Sequence, residues 1–312
     1  MALPSIHSVR RRLAARSGLV PAAMVPPASH GRAEQASISP ATLIESGPVA
    51  GRAVGTPVRW PGPVAFLDGT QRIEVVAYAG TAPLLAADVA AAVRERVGRD
   101  MRTATALRRV LLLGRPEAIS LAGNAIDGVE TVSLDDAEPA HPLRDIEAAR
   151  QAVDAARGEV ERQVGDAYRR GAPHWLVVDG SLAESPSWAR DGRMIGVSKS
   201  HATLPFEGSD LVTYLQLPAG HRSSIFQPAS RRRAPVYAWG LRLWPWAEQD
   251  LLYGLVRVEA APEKDTLDRA DEISRWLLAE RAPISAPDSR WDRLLYGIHG
   301  VEEYLRVARG ER

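Results

Sequence analysis

The chain has 312 residues, 45% of them hydrophobic and 25% charged, with a formal net charge of +1. That mix builds one large or two modest domains around a sizeable core, and the near-neutral balance confines any nucleic-acid surface to a local patch. The lack of cysteine excludes disulfides, thiolate-held zinc and iron–sulfur clusters. No apolar run reaches the roughly 18 residues of a membrane-spanning helix, so a cytoplasmic protein without membrane contact is expected.

Residues 1–57 are expected to form a flexible or partner-docking arm ahead of a domain over residues 58–312. Arg10, Arg11 and Arg12 precede the first acid, Glu34, and residues 5–16 suit a short basic helix. Pro21, Pro26, Pro27 and Pro40, set among Ala and Ser, argue against a packed core in this arm. Residues 63–68 form the first expected strand. Gly69 and Thr70 then turn the chain into a β-rich run over residues 72–79. The Ala-rich residues 83–97 suit strand or helix, and residues 107–113 and 131–134 suit strands.

Residues 141–170 read as a long helix. Pro142 and Asp145 stand at its start and Arg169 and Arg170 at its end, a charge order that complements the helix dipole. Ile146, Ala149, Val153, Val160 and Val164 make one apolar stripe. Gly171 and Pro173 stop the helix, and a strand ending at Asp179 follows. Further strands are expected over residues 193–198, 211–217, 236–243 and 251–259, and helices over 265–281 and 291–309. Strands first, then a long helix, then strands again point to an α/β fold, a mixed sheet with helices packed on it.

Two stretches share one design: Val64-Ala65-Phe66-Leu67-Asp68-Gly69-Thr70 and Trp175-Leu176-Val177-Val178-Asp179-Gly180-Ser181. Each places a carboxylate at the lip of an apolar strand. Taken singly, each is an ordinary Asp-Gly turn; on neighbouring strands the pair could hold a divalent ion. The long helix offers Glu159 and Glu161 as a third carboxylate, and Glu147 and Asp154 lie earlier on it. Oxygen clusters of this kind suit magnesium or manganese, which assist phosphodiester hydrolysis. Lys199 ends a strand in a chain with only one other lysine, Lys264, and its compact ammonium could reach a phosphate. Asp292 and His299 share a face of the last helix, and either could complete a site. Arg222, Arg231, Arg232, Arg233 and Arg242, interleaved with Phe226, Tyr237, Trp239, Trp244 and Trp246, could track phosphates and stack bases. No Walker-type phosphate loop is present, so no intrinsic ATP hydrolysis is expected.

In chain order, Phe66-Leu67-Asp68-Gly69, the helix with Arg157 and Glu161, Val177-Val178-Asp179-Gly180-Ser181-Leu182, Gly196-Val197-Ser198-Lys199 and Val256-Arg257-Val258-Glu259 resemble the NurA nuclease family. The resemblance implies an RNase H-like fold, a manganese- or magnesium-dependent DNA nuclease, a homodimer, and a HerA-type hexameric ATPase as partner in DNA-end processing. It maps metal ligands onto Asp68, Glu161 and Asp179, and a late acidic or histidine ligand onto Asp292 or His299; Lys199 joins them in the catalytic set. The chain departs from the family pattern in reading Asp-Gly-Thr at the first strand, and Glu159 competes with Glu161. The alternative is a non-catalytic adaptor of the same fold that docks a translocating ATPase or DNA.

Overall fold

The computed structural model describes residues 3–14, 16–21, 37–98, 100–123, 126–229, 233–247, 249–281 and 295–308. Helix α1 (Ile6–Leu13) is capped by Ser5, whose side chain accepts from the Ser8 amide at 3.2 Å. Ile6, Val9 and Leu13 fall on one face at helical spacing and are buried in one apolar cluster with Val76, Leu84 and Leu112. Arg10 reaches Glu74 at 2.9 Å. Farther on, Thr42–Leu43 pairs with Phe226–Gln227, and Gly51–Ala53 pairs with His221–Ser223. The described parts of residues 1–57 therefore do contribute to the core, against the sequence expectation. In α1 the run Arg10-Arg11-Arg12 hid the few apolar positions that dock.

Strand β1 (Val64–Ala79) is the spine of the sheet. Val64 to Leu67 are fully buried, as expected of a strand covered on both faces. Gly69 and Thr70 do not turn the chain. It runs straight through them and reverses at Gly80, which takes φ 57°, a left-handed conformation that glycine adopts at little cost. Strands β2 (Ala82–Val97) and β3 (Asp100–Gly114) complete an antiparallel meander. The Ala-rich segment is strand because it lies at the middle of this meander. Ala90 and Ala92 belong to the apolar cluster on one face, Ala87 and Ala91 to the cluster on the other, and burial on both faces overrides alanine's helix preference.

After helix α2 (Pro116–Ala122) and strand β4 (Glu130–Ser133), parallel to β3, comes helix α3 (Pro142–Gly171). Arg115 pins its first turn through Asp145, at 2.8 and 2.9 Å. Ala149, Val153, Val160, Val164 and Tyr168 form its buried stripe against the sheet. Strands β5 (Trp175–Asp179) and β6 (Met194–Ser198) follow, β5 parallel to β1 and β6 parallel to β5. Residues 211–217, expected as strand, belong instead to helix α4 (Gly208–Leu215) and the turn after it. Leu211, Tyr214 and Leu215 recur at helical rather than alternating spacing. Strands β7 (Tyr237–Arg242) and β8 (Leu255–Ala260) pair antiparallel, and helices α5 (Lys264–Ala279) and α6 (Tyr296–Ala308) close the described chain.

The main sheet runs in the order β7-β8-β6-β5-β1-β2-β3-β4. One face packs on α3; the other packs on α5 and α6, around Phe66, Trp239 and Trp276. Among the described residues no helix is long and apolar enough to cross a membrane.

Candidate active site

β1 and β5 are parallel, in register from Val64 beside Trp175 to Leu67 beside Val178. The next position on each strand puts Asp68 beside Asp179. Asp68 is only 5% exposed. Its Oδ1 accepts the Gly69 amide at 2.7 Å, while Oδ2 is buried with no hydrogen-bond partner.

Gly69 explains itself once α3 is in place. A Cβ there would lie 2.1 Å from Oε1 of Glu161. The missing side chain lets the Glu161 carboxylate lie on the strand directly after Asp68. Glu161 is mostly buried and pairs with Arg157 one turn earlier. Glu159 points away and meets Arg109 at 3.0 Å. Of the two helix carboxylates, Glu161 is the one brought to Asp68.

The loop after Asp179 is held from two sides. Gly180 takes φ 137°, and its carbonyl lies 2.8 Å from where a Cβ on Gly196 would stand. Gly196 thus lets the turn rest on β6. Glu259, buried on β8, accepts from the Ser181 hydroxyl at 2.7 Å, the Leu182 amide at 2.9 Å and Arg257 Nε at 3.0 Å. Lys199, just past β6, donates from Nζ to Asp179 Oδ2 at 2.8 Å. The Gly-Val-Ser-Lys and Val-Arg-Val-Glu motifs therefore shape and charge one turn.

Helix α6 covers the same lip from the opposite face. A Cβ on Gly297 would come within 2.4 Å of the Phe66 ring, so the helix lies directly on β1. The α6 charge that acts on Asp68 is that of Glu302. His299 lies one turn before it, 3.7 Å from Glu302 and 3.5 Å from Glu303. Asp292 lies outside the described residues. The sequence reading did not single out Glu302. Its one signal is that it stands three residues after His299, beside the buried Val301.

Burial pushes the Asp68 carboxyl well above the ordinary carboxylate range, and the charges of Asp179, Glu302 and Glu161 push the same way, against Lys199. Burial also raises Glu161; Arg157 opposes that shift, while Asp179 and Glu184 add to it. The charges of three further carboxylates thus reach Asp68. Among the described residues no three acidic or histidine groups stand as a ready chelating cluster. Lys199 holds Asp179 and Arg157 holds Glu161. The donor set still fits a hard cation: every acid is an oxygen ligand, and one Asp68 oxygen is buried and unsatisfied.

A cleft of about 140 Å³, lined by Arg157, Glu161, Arg162, Asp179, Ser181 and Glu184, opens beside these groups. At about 30 Å³ per water, it holds a few waters or a phosphate. A larger groove of about 800 Å³ opens at the other end of β5, around Trp60, His174 and Trp175. Two of its guanidiniums are already engaged, Arg169 by Asp191 and Arg269 by Glu272, and the converging acids are not there.

The basic and aromatic segment is internal at Arg222, Trp239 and Arg242, whereas Arg233 is exposed and meets Glu184 at 3.5 Å. Arg242 is fully buried, donating to the Leu217 carbonyl at 3.2 Å, the Leu251 carbonyl at 3.0 Å and the carbonyls of Leu215 and Tyr253. Arg222 is buried between Glu45 and Asp271. Trp239 is buried, with its indole donating to Ser274. Arg231 and Arg232 lie outside the described residues.

No protein-family model matches the sequence, and no curated protein matches it. Solved structures do. The NurA nuclease from Sulfolobus solfataricus superposes with a TM-score of 0.50 at 10% identity, over 80% of each chain. The chain shares the RNase H-like fold of this NurA nuclease. The catalytic domain of human endonuclease V matches at a TM-score of 0.32 and 12% identity, over 80% of this chain and 85% of that one. Ciona intestinalis endonuclease V, solved with a 24mer DNA containing inosine, matches at 0.32 and 11% identity, over 80% and 86%.

Proposed function

We propose that the chain is a divalent-metal-dependent DNA nuclease that hydrolyses phosphodiester bonds. Asp68 and Asp179 are its central ligands, Glu161 and Glu302 flank them, and manganese or magnesium is the ion. One observation carries the reading: Asp68 stands beside Asp179 on paired strands with the Glu161 carboxylate packed on the next residue, and its Oδ2 is buried without a partner. A buried, unpartnered carboxylate oxygen beside further acids is costly to folding, and such groups gather at functional sites.

A divalent ion supplies water activation and charge stabilisation at the leaving oxygen. The chain's own groups do the rest. Gly69 admits Glu161, and Glu259 fixes the turn that aims Asp179. His299 lies against Glu302 as a positioning residue. Lys199 puts positive charge where a backbone phosphate would arrive. The fold shared with the Sulfolobus solfataricus NurA nuclease supports DNA as the substrate. By the same likeness we propose a homodimer working with a HerA-type hexameric ATPase in DNA-end processing.

Labelled single- and double-stranded DNA incubated with Mn2+ tests this reading. The parent cleaves, and Asp68→Ala and Asp179→Asn lose at least about a hundredfold in rate while melting as cooperatively as the parent. A parent that leaves both substrates intact, or an Asp68→Ala variant that matches it, puts the non-catalytic adaptor in its place.

A further inference from the structure

Two cations sit on the ligand carboxylates. Lys199 Nζ is 2.8 Å from Asp179 Oδ2, and Arg157 pairs with Glu161. Their side chains are 22% and 34% exposed. In partly buried pairs desolvation offsets much of the attraction, which makes them weak evidence for stability, so folding alone does not account for placing both cations on acids of the site. Each also has somewhere else to go. Arg157 Nε holds Gln71 Oε1 at 3.2 Å, and Gln71 donates to Asp154 at 2.6 Å. That tether keeps the guanidinium at the mouth of the small cleft whether or not Glu161 holds it. Lys199 stands on the segment leaving β6, with rotatable bonds enough to swing off Asp179.

We propose that Arg157 and Lys199 are exchangeable counter-ions. In the metal-free site they neutralise Glu161 and Asp179. A divalent cation takes over those carboxylates and releases both side chains to the phosphodiester backbone, so that cation and DNA bind cooperatively. This inference rests on the metal-dependent reading of the site. It adds that the two basic groups compete with the ion before they assist the substrate. By linkage, the factor by which the ion tightens DNA is the factor by which DNA tightens the ion.

The test uses the full chain and the variants Arg157→Met and Lys199→Met, which remove charge and keep much of the length. Their melting curves are recorded to show that they fold. Mn2+ binding without DNA is followed by the electron paramagnetic resonance of the free ion. Each variant is expected to bind Mn2+ about fivefold tighter than the parent, the gain from losing a competitor of about 1 kcal/mol. Binding of a fluorescent DNA duplex is then followed by anisotropy against salt, with Ca2+ as a hard oxygen-liganded ion and without any divalent ion. Each released cation should steepen the slope of log K on log salt by about 0.9. The parent's slope should therefore steepen by about two when Ca2+ is added, and each variant should lose about one unit of that slope in Ca2+ only.

Variants that bind Mn2+ no tighter than the parent overturn the proposal. So does an equal loss of slope with and without Ca2+, which would make the two residues permanent phosphate contacts. A parent that binds no Mn2+ at all removes the metal-dependent reading itself, and this inference with it. A parent that binds Mn2+ normally beside unchanged variants sinks only the counter-ion exchange.

Discussion

At Gly69 the site depends on an atom that is missing. The strand there is extended, so glycine is not required by φ; it is required because Glu161 fills the space a Cβ would take. Gly69→Ala should leave the sheet intact and push the Glu161 carboxylate off the strand. A displacement of about 1 Å at a reacting centre can cost about a hundredfold, and that is the loss expected in Mn2+-dependent cleavage, read beside an unchanged circular dichroism spectrum. Arg242 shows the opposite case, a charged residue with a structural task. Burial lowers its pKa to about 10, and it gathers carbonyls from the end of α4 and from residues 251–253. Arg242→Met would strand those acceptors, at about 1–3 kcal/mol for each one left dry. Urea unfolding should show a loss of at least about 3 kcal/mol, whereas the Ca2+-dependent DNA affinity of the molecules still folded should stay at the parent's value.

Among the elements, α6 joins stability to the site. Its Gly297 lies on the Phe66 ring, and five residues later Glu302 acts on Asp68. Arg94 fastens the helix, donating to the Gly300 carbonyl at 3.0 Å. Gly297→Ala would place a methyl group inside the contact distance of the ring. Overpacking of that kind costs about 1–3 kcal/mol, and lifting the helix would carry Glu302 away from Asp68. The variant should melt earlier and also bind Mn2+ more weakly, both in titrations without DNA. β5 and β6 make the complementary pair: β5 delivers Asp179, and β6 supplies the glycine on which the next turn rests. The parallel pairing of β1 with β5 requires a long crossover, and α3, which carries Glu161, is part of it.

Across the whole molecule, residues far apart in sequence are tied by buried charges. Glu45 accepts from both terminal nitrogens of Arg222 at 3.0 and 3.1 Å, and from the Ile225 amide at 2.8 Å. Although partial burial opposes it, these hydrogen bonds and the Arg222 charge hold the Glu45 carboxyl below its usual range. A carboxyl whose folded-state pKa is depressed releases its proton more readily folded than unfolded. Its contribution is therefore complete above the unfolded pKa of about 4.3 and is lost as pH falls through the folded value. Glu45→Gln should cost roughly 2 kcal/mol at pH 7, and the gap between variant and parent should narrow below about pH 4, as read from urea midpoints across pH. The effect belongs to the molecule because Glu45 precedes the first long strand while Arg222 and Ile225 follow α4.

Much of the scaffold was legible in the chain. The apolar runs before Asp68 and Asp179 read as buried strands because they are covered on both faces, and α3 read as a helix because its stripe, its charges and its Pro142 all agree. Local pattern misled in four places. Gly69 looked like a turn, Ala-rich β2 was ambiguous, α4 looked like a strand, and α1 looked undocked. In three of them the deciding partner lies far off in sequence: Glu161 for Gly69, both sheet faces for β2, and Val76, Leu84 and Leu112 for α1; for α4 the helical spacing of Leu211, Tyr214 and Leu215 was itself the signal. The sequence by itself determined which strands carry Asp68 and Asp179 and which helix precedes the second of them. Only the tertiary structure decided that Glu161 rather than Glu159 faces them, that Glu302 is the acid of α6 acting on Asp68, and that Arg222 and Arg242 are internal. Helical and strand spacing say which residues share a face, but the packing of one element on another decides what that face meets.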